Sequence, residues 1–229
     1  MYKMISRAIL TSVLISVAAL FFGCSKNETV VGSNSIVGSG RLVSEQRNVG
    51  AFTGIQVTNF ANVFVKQDTV QSLRIESDDN IMSLVATSVQ NGVLVVGLKE
   101  GSYNNVTVNV YASMSSVRWL ELIGAGDCQT VSPIHADTIV CRIKGAGTIT
   151  LAGTASQEMV EIIGAGNVHN FDLVSSRCVA SISGTGNIDV NVTQQLDATI
   201  SGTGVITYDG HPPTVNQTVV GIGSIRPKP

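Results

Sequence analysis

Residues 120–126 read Leu120-Glu121-Leu122-Ile123-Gly124-Ala125-Gly126, and the phrase returns at Cys141-Arg142-Ile143-Lys144-Gly145-Ala146-Gly147 and at Val160-Glu161-Ile162-Ile163-Gly164-Ala165-Gly166. Shorter echoes follow at Ser181-Ile182-Ser183-Gly184-Thr185-Gly186, at Thr199-Ile200-Ser201-Gly202-Thr203-Gly204 and around Gly221. The first glycines are spaced by 21, 19, 20, 18 and 19 residues. A period near 19 is too short for a propeller blade or a helical repeat and matches one coil of a β-solenoid. The leucine-rich repeat overlaps in length, but its repeated Leu and Asn pattern is absent.

The residues flanking each glycine carry the coil reading. Two before it stand Leu122, Ile143, Ile162, Ile182, Ile200 and Val219, and four after it stand Cys128, Ile149, Val168, Ile188, Ile206 and Ile225. Strand side chains alternate between faces, so the position four before shares the inward parity. It holds Leu120, Cys141, Val160, Ala180, Ala198 and, out of pattern, Gln217. The glycine pairs are then corners, where a positive φ or close stacking of coils excludes a side chain. The fold expected is all-β, a single-stranded parallel β-helix (β-solenoid) with coils of about 19 residues, right-handed. Gln217 and the terminal Arg226-Pro227-Lys228-Pro229 are expected to blunt its last coil.

Working back from these coils, residues 41–115 alternate less regularly, through Ile55-Gln56-Val57, Val63-Phe64-Val65, Leu73-Arg74-Ile75, Val93-Leu94-Val95-Val96 and Val106-Thr107-Val108-Asn109-Val110. Asp78-Asp79-Asn80 and Asn91-Gly92 are turn signals between them. Residues 24–40, rich in Gly, Ser and Asn, read as a flexible tether. Residues 1–23 read as a signal peptide, with Lys3 and Arg7 before an apolar run of roughly 15 residues. That run is short for a membrane span. It closes on Leu20-Phe21-Phe22-Gly23-Cys24, which resembles a bacterial lipobox and implies cleavage between Gly23 and Cys24 with lipid on the Cys24 thiol. Two or three acyl chains anchor stably, whereas one is marginal. The regular coils are placed at 116–225 within a domain of 41–229.

The expected partner through that lipid is the membrane. Ser25 is not the Asp that favours inner-membrane retention in enterobacteria, so the expected place is the cell envelope, at the outer membrane. The chain has a net charge of −2 and only 13% charged residues. Such a chain lacks the basic footprint that nucleic acid requires. Besides Cys24, Cys128, Cys141 and Cys178 make an odd count, so at least one thiol is unpaired.

The search for chemistry follows columns, because equivalent positions on successive coils lie about 4.8 Å apart. Asp127, Thr148, Asn167 and Asn187 form a polar ladder that could hydrogen-bond a glycan, although Asn and Asp also favour turns and stack their amides between coils. Glu121, Arg142 and Glu161 form an outward column of alternating charge. Taken as a catalytic pair, the two glutamates stand about 9.6 Å apart, at or past the outer limit for an inverting glycosidase. A salt-bridge ladder is the simpler reading. Trp119, Ile123, Met159 and Ile163 form an outward apolar face, either a binding surface or a face covered by the N-terminal half. His135, His169 and His211 do not stack, and no metal-ligand spacing joins them. No GxSxG, HExxH, phosphate-binding loop, Rossmann glycine pattern or GGxGxD calcium repeat is present. No catalytic residue, metal or cofactor is therefore expected, and the reading is a non-catalytic protein.

Together the glycine corners, Phe52-Thr53-Gly54-Ile55-Gln56-Val57 and Asn91-Gly92-Val93-Leu94-Val95 resemble the bacterial family known as the putative auto-transporter adhesin, head GIN domain, or domain of unknown function 2807, across residues 41–225. The resemblance implies a β-helical envelope lipoprotein and a binding role of adhesin type toward a glycan or an envelope protein. A periplasm-facing scaffold is the alternative. The family supplies no catalytic residues.

Overall fold

A computed structural model describes residues 35–229. Strands are β1 (Ile36–Val37), β2 (Leu42–Gln46), β3 (Gly54–Val57), β4 (Asn62–Gln67), β5 (Ser72–Asp78), β6 (Val85–Gln90), β7 (Val93–Leu98), β8 (Tyr103–Asn104) and β9 (Val108–Met114). The glycine-repeat region follows as β10 (Trp119–Leu122), β11 (Ala125–Thr130), β12 (Ile134–Ile143), β13 (Ala146–Thr150), β14 (Gly153–Ile162) and β15 (Ala165–Ile182). It ends with β16 (Thr185–Ile200), β17 (Thr203–Asp209), β18 (Thr214–Val219) and β19 (Ile222–Pro227).

From β10 onward each strand pairs in parallel with its counterpart one coil away, and the register follows the repeat. Leu120 lies against Cys141, Cys141 against Val160, Val160 against Ala180 and Ala180 against Ala198. Both inward columns are buried as the parity requires, from Leu122 through Ile200 and from Cys128 through Ile206. This is the parallel β-solenoid read from the repeat. The inward pattern stops at the last coil, where Val219 is 46% exposed because no strand among the described residues lies beyond β18 and β19.

Two different constraints select the corner glycines. At Gly145 a Cβ would sit 1.9 Å from the carbonyl oxygen of Gly124, so the coils approach too closely for any side chain. At Gly147 the same crowding, 1.9 Å from the Gly126 oxygen, is joined by φ of +143°, a conformation L side chains rarely adopt. The residue between the glycines points to solvent and varies from Ala to Thr to Ile.

The N-terminal half is a continuation and a cap. Strands β3 and β4 pair in parallel with β10 and β11, adding a coil whose corner is Thr58-Asn59-Phe60-Ala61 in place of glycines. Strands β7 and β9 extend the two faces once more, and then β6 pairs antiparallel with β7, β5 with β9, and β2 with β5. Asn91 and Gly92, with φ of 51° and 76°, make the tight β6–β7 turn. Asp78 begins the other turn, and its buried carboxylate accepts the Gly40 and Thr107 backbone N–H groups at 2.7 Å each.

That clamp corrects one boundary. Residues 36–40 were expected in the tether, yet β1 pairs with β8, and Ser39 and Gly40 are bonded to the turn at 78–80. The ordered domain therefore begins before Arg41. The expected signal peptide, the expected cleavage and lipidation site at Gly23 and Cys24, and the first part of the expected tether lie outside the described residues.

Two substitutions check the coil assignments. Ile162→Asp puts a charge in a fully buried column and is expected to destabilise by about 4 kcal/mol or more, whereas Glu161→Asp, on the neighbouring outward column, should shift the denaturation midpoint little. Equal effects would overturn the inward and outward assignment. At the corners, Gly164→Ala should cost at least about 2 kcal/mol through overpacking, because its Cβ would meet the Gly145 oxygen at 2.1 Å. Ala165→Ser beside it should be neutral by the same urea titration.

Candidate functional site

Successive coils carry the outward columns onto distinct faces. The face built by β3, β10, the end of β12, β14 and the end of β15 holds Trp119, Val140, Met159 and Val179 in one register column. Ile123, Met159 and Ile163 are each about 40% exposed on it, at 39%, 43% and 43%. No described segment covers this apolar strip. Trp119 is half-buried, and the Arg142 guanidinium lies over its ring, 4.8 Å from the centroid. That geometry is a cation–π contact.

Beside this strip runs Gln56, Glu121, Arg142, Glu161. Arg142 Nε donates to Glu161 Oε2 at 2.5 Å, Lys144 Nζ lies 3.0 Å from Glu121 Oε1, and Gln56 Nε2 donates to Glu121 Oε2 at 2.5 Å. The salt-bridge ladder is present, with one difference from a simple surface ladder. Glu121 is only 3% exposed although its parity is outward, because the longer side chains around it close over the carboxylate. Burial alone would raise its pKa, but the Gln56 amide together with Lys144 and Arg142 outweighs that and holds the carboxyl below its ordinary range.

The polar ladder lies on the adjoining face and is spent largely on the fold. Asp127 Oδ1 accepts the Thr148 backbone N–H at 3.0 Å, while Asn167 Oδ1 accepts both the backbone and amide N–H of Asn187, at 3.2 and 3.1 Å. These contacts tie one corner to the next. A separate trough of about 490 Å³ follows the coil bends, lined by hydroxyls including Ser116, Thr154, Ser156 and Thr193, with Arg118 and Asp137 nearby.

One polar cluster lies inside. Glu158 occupies an inward column, between Ile139 and Cys178 in register, and is 2% exposed. Asn170, from the same coil, donates to Glu158 Oε1 at 2.7 Å and accepts the Leu151 backbone N–H at 3.0 Å. Glu158 Oε2 has no hydrogen-bond partner. Burial pushes the Glu158 carboxyl up to about 7, against the hydrogen bond from Asn170. Cys128, Cys141 and Cys178 are all buried free thiols. Burial raises each of their pKa values, that of Cys128 to about 12, which leaves them in the unreactive thiol form.

Parity arithmetic already marks Glu158, six residues before Gly164, as inward, the same offset that places Cys178 inside. The sequence reading passed over it because a carboxylate is rarely found in a core. Among the described residues no group of three or more His, Cys, Asp or Glu is placed to hold a metal ion.

A parallel solenoid with decorated outward columns defines a β-repeat protein of the solenoid class. The chain belongs to the family described as putative auto-transporter adhesin, head GIN domain, whose model matches residues 51–212. The fold is similar to that of a putative adhesin from Bacteroides fragilis, with a TM-score of 0.68 at 23% identity, covering 85% of this chain and 100% of the other. It is also similar to a putative adhesin from Parabacteroides merdae, TM-score 0.52 at 22% identity over 85% of this chain and 99% of that one. A putative lipid binding protein from Parabacteroides distasonis gives a TM-score of 0.53 at 20% identity, over 85% and 100%. No curated protein matches the chain.

Glu158 predicts an unusual pH dependence. Its pKa of about 7 in the fold exceeds that of the unfolded chain, so the folded state holds the proton more tightly. The stability this contributes is complete below the unfolded pKa and is lost as pH rises through about 7. Glu158→Gln should remove that loss, stabilising the protein at pH 8 by about 3 kcal/mol and leaving stability at pH 4 nearly unchanged. Parallel midpoint-against-pH curves for the two proteins would refute the assignment.

Proposed function

We propose that this protein is a lipid-anchored, non-catalytic module of the cell envelope that acts as an adhesin, presenting one rigid face of its solenoid to a glycan or protein. The observation that carries the reading is the open strip of Trp119, Ile123, Met159 and Ile163 on a ladder of stacked strands. Soluble folded surfaces rarely leave such residues in line unless something binds there. The family of adhesin-like proteins supports the same role. The acidic side chains near the strip are paired with Arg142 and Lys144, an arrangement that fixes side chains and offers no free carboxylate pair for hydrolysis. Cys24 carries the anchor in this reading, and the outer membrane is its place.

Protease treatment of intact producing cells tests the display. Full-length protein is expected to disappear from intact cells, and a Cys24→Ala variant is expected to leave the membrane fraction. Protection until the cells are lysed would replace surface adhesion with the periplasm-facing scaffold.

A further inference from the structure

The last coil departs from those before it. Its inward positions on β18 are Val215, Gln217 and Val219, which continue the columns of Leu196, Ala198 and Ile200. Gln217 and Val219 are exposed, with no described strand beyond them. The outside of its corner is apolar. Val220 and Ile222 are 80% and 75% exposed, where the two preceding coils carry the hydroxyls of Ser183 and Ser201, and of Thr185 and Thr203.

The edge itself is open. The Val220 N–H bonds to the Ile200 oxygen of the preceding coil at 2.8 Å. Backbone groups alternate along a strand, so the N–H and C=O groups of Val215, Gln217 and Val219 point the other way, out along the solenoid axis. Ile225, as far from Gly221 on β19 as Gln217 is on β18, turns its groups outward by the same alternation, since Ile222 and Lys228 bond back to Gly202 and Tyr208. Proteins usually blunt such an edge with proline, charge or a bulge. Arg226 and Pro227 do so on β19, but β18 has no proline, no charged residue and an unbroken register.

The inward pattern of β18, Val-Gln-Val at alternate positions, reads the same in reverse. A second copy turned about a two-fold axis through Gln217 sets Val215 against the partner's Val219 and Gln217 against the partner's Gln217. These are the residues with free backbone groups, so each pair exchanges hydrogen bonds as in an antiparallel ladder. A carboxamide both donates and accepts, so two glutamines on the axis satisfy each other. A single polar pair in an apolar contact fixes its register, as a buried Asn does in a coiled coil. Val220 then lies beside the partner's Thr214, and with no charge on β18 no like charges meet across that strand pair.

We propose that the open end of the solenoid is a self-association surface, on which a second copy of this chain docks end to end with β18 against the partner's β18. The surface is separate from the Trp119 strip and does not depend on what that strip binds. A two-fold contact of this kind closes at two copies.

Sedimentation velocity of the full mature chain in a density-matched detergent, at rising protein concentration, tests the contact. The mass is expected to double and to rise no further. Gln217→Glu sets two carboxylates against each other on the axis and should weaken the dimer at least tenfold. Because Gln217 is exposed in the single copy, the thermal midpoint of this variant at low concentration should match that of the parent. Asn216→Cys combined with Thr218→Cys places cysteines at opposed non-hydrogen-bonded positions, whose Cβ atoms stand about 4.5–5.5 Å apart, and mild oxidation should link two chains. A chain that stays single at every concentration overturns the proposal, as does an undiminished dimer in folded Gln217→Glu. Growth beyond two copies would replace the two-fold contact with head-to-tail stacking, and a dimer that resists the cysteine link would have its contact elsewhere; either result overturns it too. None of these outcomes alters the protease test of surface display.

Discussion

The close approach of one coil's backbone to the next at the glycine corners is the constraint on which everything else depends. The Gly184 Cβ position lies 1.9 Å from the Gly164 oxygen, and the Gly202 position 2.0 Å from that of Gly184. No other residue type fits there, so every glycine corner is held to one geometry. Backbone bonds such as Thr185 N–H to the Gly164 oxygen, 2.9 Å, and Thr203 N–H to the Gly184 oxygen, 2.9 Å, then lock the coils in register. With the register locked, each sequence position becomes a column, and the chemistry of a column is that of one residue type repeated at the strand spacing.

Columns explain why interior and surface behave so differently under substitution. An inward column tolerates volume exchange among Leu, Ile, Val, Ala and Cys, as the series Ile55, Leu120, Cys141, Val160, Ala180, Ala198 illustrates. Glu158 and Asn170 break this rule together. Asn170 offers an amide donor to the carboxyl and satisfies the Leu151 backbone N–H with its own oxygen, so the pair forms a small polar core of its own. The neighbouring thiols of Cys141 and Cys178 take the space of aliphatic side chains and remain protonated.

The repeat made the solenoid legible, since its period, inward parity and turn glycines all point to one backbone path. What escaped was non-periodic. In the antiparallel cap, β2 pairs with β5 and β5 with β9 between segments that lie far apart in sequence, and β1 joins β8 through two residues, Ile36 and Val37, that look like linker. The coil of β3 and β4 was hidden because Asn59 and Ala61 stand where the other corners have glycine. Within the candidate site, Trp119 was evident as an outward aromatic residue. The burial of Glu121 beside it was not, because its parity is outward and only the neighbouring coils bring Gln56, Arg142 and Lys144 around it.

The two ends of the stack differ. One is closed by strands that reverse direction, while the other presents β18 and β19 in the same orientation as every coil before them. Each coil contacts chiefly its neighbours, as in other solenoids, so length is a quantity separable from recognition. A coil duplicated near β18 would move the far end outward by about 4.8 Å while the cap and the strip around Trp119 kept every contact. In such a molecule reach can evolve by copying, independently of what is held at the other end.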